Sequence, residues 1–171
     1  MPVAVASLQN INTSLNSWLK TGLSPSRIIF QPPNNRTSMP TYSARHTLGA
    51  TESRWQGDRV GVGADGAQIY GRAYMGIVEV TIWVSRKNKR KWMESMLEME
   101  ADLTALVSRT KRIAINDYAN GAVRMFTDLP EYERKTIIIS SFQEVSLDGL
   151  QNPDVEAQRY NIGYNTEIRS Y

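Results

Sequence analysis

The run Ile77-Val78-Glu79-Val80-Thr81-Ile82-Trp83-Val84 alternates with period two, placing Val78, Val80, Ile82 and Val84 on one face and Ile77 and Trp83 on the other. A strand that is apolar on both faces belongs near the centre of a sheet. The pattern reaches back to Tyr70 and predicts one long strand from Tyr70 to Val84. The period then changes. Trp92, Met93, Met96, Leu97, Leu103, Leu106 and Val107 recur at helical spacing as an inward stripe that only Glu100 interrupts, while Glu94, Glu98 and Asp102 point toward water. This predicts a helix from about Lys89 to Arg109. Arg109, Lys111 and Arg112 close it with cations, which suits the negative end of the helix dipole.

The same reading extends along the chain. Leu8, Ile11, Leu15, Trp18 and Leu19 share one helical face, with Ser7 placed to cap the start and Gly22 placed to stop the helix. Arg27 to Gln31 is a compact strand, ended by Pro32 and Pro33 because proline cannot donate to a ladder, and Asn34 to Pro40 is an exposed loop. Thr41 to Trp55 is weakly strand-like through Tyr42, Ala44, His46 and Leu48. Gln56 to Ala67 is rich in glycine and polar residues, and Asp65-Gly66, flanked by Val60, Val62 and Ile69, is a strong hairpin signal. Residues 56–76 are therefore expected to form a protruding β-hairpin arm. Arg112 to Tyr118 is a short strand, with Asn120-Gly121 as a turn and Val123 to Phe126 as its hairpin partner. Lys135 to Leu147 is a second long strand, ended by Asp148-Gly149. Arg159 to Ile168 alternates and puts Tyr160, Ile162, Tyr164 and Ile168 on one face. Its expected role is to complete the domain's own sheet, although an open edge can also pair with another chain. The sum is a single α+β domain over residues 1–171: a mostly antiparallel β-sheet with two helices packed on one side and an extended β-hairpin arm.

Composition narrows the functional classes. A chain of 171 residues suits one domain with one core, and a formal charge of +3 permits contact with nucleic acid or an acidic surface without demanding it. The absence of cysteine removes disulfides, thiolate catalysis and Cys-ligated metals, and fits synthesis in a reducing cytosol. Met1 to Ser7 lacks the basic and apolar regions of a signal peptide. No window approaches the roughly 20 apolar residues that span a bilayer, so a soluble chain without a membrane partner is expected.

Candidate chemistry is sparse. Gly61, Gly63 and Gly66 match the dinucleotide pattern G-x-G-x-x-G, yet Ala67-Gln68-Ile69-Tyr70 continues as a strand where phosphate binding needs the amino end of a helix. No cofactor is expected. His46 is the one histidine, which excludes His-pair metal sites, and in a polar strand-like loop it reads as a surface residue. Glu94, Glu98, Glu100 and Asp102 read as a solvated helix face, so an enzyme built on His46 or these acids has little support. The basic turn, Arg86, Lys87, Lys89, Arg90 and Lys91, is the local rule that the sequence breaks. Cations at a helix amino end are each unfavourable by roughly 0.3–1 kcal/mol when exposed. Either these residues are a solvated helix start, or they and the Asp65-Gly66 hairpin contact a neighbouring subunit or the phosphates of nucleic acid. Only Trp92 lies nearby to stack on bases, which disfavours sequence reading and favours a structural contact.

Three segments carry a resemblance. Leu15-Asn16-Ser17-Trp18-Leu19 with Arg27-Ile28-Ile29-Phe30-Gln31-Pro32-Pro33-Asn34 and Pro40-Thr41-Tyr42, then Val78 to Val84 before a charged helix, then the alternating aromatic strand at the end, resemble the neck and tail terminator proteins of long-tailed bacteriophages. The resemblance spans most of the chain but leaves residues 56–68 unmatched. It implies a non-enzymatic virion protein forming a ring, usually hexameric, that is assembled in the host cytoplasm. Such a ring caps the tail tube and joins it to the head connector. Its implied partners are copies of itself, other tail and head–tail connector proteins, and genomic DNA passing through the lumen without sequence-specific binding. A tube, hub or sheath-initiating protein is the nearest alternative, and a small basic nucleic-acid-binding module the next.

Overall fold

The computed structural model describes residues 8–24, 27–47, 59–62, 68–87, 91–117, 124–125, 136–147 and 152–170. The predicted features at Ser7, Leu48 to Trp55, Asp65-Gly66, Lys89, Arg90, Asn120-Gly121 and Asp148-Gly149 lie outside these residues. The chain has an α+β fold whose order is α1 (Leu8–Gly22), β1 (Ile28–Ile29), β2 (Thr41–Thr47), β3 (Arg59–Val62), β4 (Gln68–Ser85), α2 (Trp92–Arg109), β5 (Arg112–Ala114), β6 (Asn116–Asp117), β7 (Arg124–Met125), β8 (Thr136–Val145) and β9 (Val155–Ser170).

One sheet runs β1-β2-β4-β9-β8-β5, with β3 also on β4, and a separate small sheet pairs β6 with β7. Every contact is antiparallel except that of β1 with β2. The two-sided strand β4 occupies the centre, paired without a break to β9 from Ser85↔Val155 to Tyr70↔Ser170. Its β-branched residues suit this position, since a central strand is paired along both edges and packs its inner face on the helices. The alternation sends Val78, Val80, Ile82 and Val84 inward, together with Tyr42 and Ala44 of β2, Ile137 of β8 and Tyr160, Ile162 and Tyr164 of β9.

Both helices cover this inner face. Tyr42 donates a buried 2.9 Å hydrogen bond to the Met99 carbonyl of α2, and His46, on the same face of β2, meets Asn16 of α1. The helices are also tied to each other, because Trp18 Nε1 donates to Thr110 Oγ1 at 3.1 Å and that hydroxyl donates to the Leu106 carbonyl at 2.7 Å. Gly22 is the last residue of α1, where a Cβ would stand 2.2 Å from Leu106 Cδ1. Its glycine serves the close approach of α2, not a left-handed stop.

Two expectations about α2 shift. The helix starts at Trp92, because Lys91 occupies the cap position, and its buried set is Met96, Met99, Leu103, Leu106 and Val107. Met93 and Leu97, placed on the inward stripe from sequence, are 56% and 59% exposed, whereas Met99 is fully buried. A helix resting on one sheet surface buries an arc, and the apolar positions flanking that arc stay outside. The strand expected over Arg27 to Gln31 shortens to Ile28–Ile29, and the one expected over Arg112 to Tyr118 breaks at the fully buried Ile115 into β5 and β6.

Of the predicted arm, residues 59–62 and 68–76 are described. Among the described residues, no β2 residue pairs with β4 before Ile77, and no β8 residue pairs with β9 beyond Thr166, which lies opposite Tyr74. Of the remaining stretch, Gln68 to Tyr70 pairs with β3 and Tyr70 to Ala73 pairs with β9, so only Tyr70 has a strand on both sides. Six residues of strand extend the arm on the order of 20 Å. Gly61 pairs with Ile69 inside this arm, next to a bulge in β3, and does not precede a helix. At the base of the arm Tyr164 lies over Gly76, where a Cβ would come within 2.3 Å of the phenolic oxygen.

Candidate functional site

The joint between β4 and α2 holds the residues that the sequence marks as a contact. The Arg86 backbone N–H donates to the Asp154 carbonyl at 2.8 Å, and its guanidinium forms an ion pair with Glu156 while lying 5.5 Å over the Trp92 ring. This cation has local compensation from β9. Lys87 and Lys91 are both exposed, and Lys91 sits at the cap of α2 without a side-chain capping bond. A lysine there leaves the first amides of the helix to water and adds to the positive end of the dipole, which Glu94 in the first turn partly offsets. The structure therefore separates one paired cation from two exposed ones. Glu156 is 70 positions from Arg86, and no local signal in the sequence could have found it.

A concavity of about 320 Å³ opens beside this joint, lined by Arg86, Leu147, Asn152, Pro153, Val155, Glu156 and Ala157. Its two charged residues already neutralise each other, and none of the seven is a nucleophile placed against a base. The turn that forms its rim is fixed by Asn152, whose side-chain oxygen accepts from the Asp154 amide at 3.0 Å.

His46 is not the surface residue expected from sequence. It lies on the inner face of β2, half-buried, with Nε2 2.6 Å from Asn16 Oδ1 and with Nδ1 buried without a partner among the described residues. Because the amide oxygen only accepts, Nε2 carries the proton. Burial pushes the imidazole below its ordinary value, so the folded state holds it neutral. The unfolded chain binds a proton near pH 6.5, so the stability from this group is complete above that pH and is lost as pH falls below it. Urea midpoints are expected to fall from about pH 7 to about pH 5.5, and His46→Gln is expected to flatten that slope. Equal slopes in the two proteins would sink the assignment.

The acids of α2 divide. Glu94, Glu98 and Asp102 are exposed, as the helical period requires, while Glu100 is half-buried. The Tyr160 phenol is pushed well above its usual range, first by burial and then by the Glu100 carboxylate. Tyr160 also stacks on Phe142, with ring centroids 5.3 Å apart. Among the described residues no three His, Asp or Glu side chains gather where a metal could bind, and no helix is long and apolar enough to cross a membrane.

No family model matches the chain, and no curated protein matches it. One solved structure, of a protein described only by a sequence identifier, aligns with 96% of this chain and 97% of its own length at 15% identity and a TM-score of 0.47. That overlap is too loose to assign a function.

Proposed function

We propose that this chain is a structural virion protein that forms a ring, of six copies in the manner of the family it resembles, at the neck of a phage tail. There it caps the tail tube and joins it to the head connector. The reading is carried by the far end of β4, Gln68 to Ala73, which pairs with β3 and then with β9 past the described residues of β2 and β8. A ring needs two different patches on each subunit, and an arm that reaches a neighbour supplies one of them. The exposed cations Lys87 and Lys91 offer a second contact, with an acidic surface of a neighbour or with passing DNA.

Native mass measurement and negative-stain microscopy test the reading. A closed oligomer that binds tail-tube ends and co-purifies with the neck is the expected result. A protein that stays monomeric at high concentration and leaves tube ends uncapped would overturn it, and co-purification with the baseplate would favour a tube, hub or sheath-initiating role. Charge reversal gives a sharper form. Lys87→Glu with Lys91→Glu, or Lys89→Glu with Arg90→Glu, is expected to leave the monomer folded and to weaken assembly, most visibly at raised salt. Normal assembly of both variants would return these cations to a solvated helix start.

A further inference from the structure

Five large apolar side chains stand exposed among the described residues, and they fall into two groups on opposite sides of the molecule. Met93 and Leu97 lie one turn apart on the flank of α2, and the exposed Ala101 and Ala105 continue their row. A second row, Glu94, Glu98 and Asp102, runs beside it, also exposed. The other group lies on the outer face of the sheet. Met75 and Ile138, 49% and 44% exposed, flank Asn165 in one cross-strand row, and Ile77 lies opposite Gly163 in the next.

The inner face of the sheet is taken by the helices, so the outer patch and the α2 flank face in opposite directions. Their charges are complementary. The helix flank carries three carboxylates, whereas on the outer face Arg45 and Arg159 outnumber Glu79 among the described side chains. A two-fold dimer would use one patch twice and leave the other bare. Two unlike patches, opposed in direction and in charge, are the geometry of a head-to-tail contact.

We infer that the occupant of each patch is a second copy of this chain: the α2 flank of one copy, around Met93 and Leu97, docks on the outer sheet face of the next, around Met75, Ile77 and Ile138. The acidic row then meets Arg45 and Arg159. This inference rests on the reading that the chain assembles with itself, and names the surfaces that do so in addition to the arm.

The test uses one-sided variants. Met93→Gln with Leu97→Gln disables the helix flank, and Met75→Thr with Ile77→Thr disables the sheet face; circular dichroism and thermal unfolding confirm that both stay folded. Native mass spectrometry is expected to show each variant alone associating at least about tenfold more weakly than wild type. Mixed together, they are expected to give a 1:1 heterodimer and nothing larger, because one intact flank and one intact face remain. Variants that assemble as tightly as wild type, or a mixture without heterodimer, would overturn these surfaces while leaving the assembly reading in place. A wild-type protein that is monomeric throughout and caps no tubes would remove both.

Discussion

Leu103→Ala is expected to lower stability by about 3 kcal/mol, within the range for leucine-to-alanine changes in well-packed cores. Leu103 is fully buried on the face of α2 that lies against the sheet, one turn beyond Met99. Truncation removes its apolar contacts and leaves a cavity between two layers that are fixed elsewhere. The helix cannot settle into the gap, because Tyr42 holds the Met99 carbonyl and Trp18 holds Thr110 at its end. For a chain of this size the loss corresponds to a fall in Tm of about 6–12 °C. Leu97→Ala, at a 59% exposed position of the same helix, is expected to change stability by less than about 0.5 kcal/mol. Thermal unfolding of the two variants side by side checks the rotation of the helix. Equal losses would mean that α2 lies on the stripe read from sequence and not on the one described above.

Gly76→Val is the second large effect, expected to cost about 1–3 kcal/mol through overpacking. A Cβ at this position would come within 2.3 Å of the Tyr164 oxygen and 2.4 Å of its ring, so the aromatic side chain must leave its place. Tyr164 is 5% exposed and pairs with Gly76 across the β4–β9 ladder. Displacing it uncovers apolar surface where the arm joins the body. A size exchange tests the cause: Gly76→Val combined with Tyr164→Ala should cost clearly less than the sum of the two single changes, because the clash is absent in the double variant. Strict additivity would show that the ring and the glycine do not compete for one space. If the arm serves assembly, Gly76→Val should also weaken oligomer formation under conditions where the monomer remains folded.

The elements that could be read from sequence are those with a strong period. In β4 the two-sided alternation gave both the strand and its central place, since Ile77 to Trp83 have β2 on one side and β9 on the other. The alternation of β9 placed Tyr160, Ile162 and Tyr164 on the buried face as expected. The helix α2 was legible in extent but not in rotation. Its apolar residues cover more than half a turn, and only the sheet decides which part is buried, so Met93 and Leu97 were misplaced and Met99 was overlooked. Contacts between residues far apart in sequence were silent. Nothing near His46 announces Asn16, and nothing near Arg86 announces Glu156.

Local order was thus set by the chain itself: side-chain period and turn chemistry determined an α+β class, and the absence of cysteine removed disulfides, thiolate catalysis and Cys-ligated metals. Tertiary structure decided which cation of the basic turn is neutralised, that the far end of β4 passes from β9 to β3 as its partner, and that the exposed apolar residues form two opposed patches. The physical reason is that burial and pairing depend on what the rest of the chain brings alongside. Periodicity specifies the faces of each element, and packing alone specifies which faces meet.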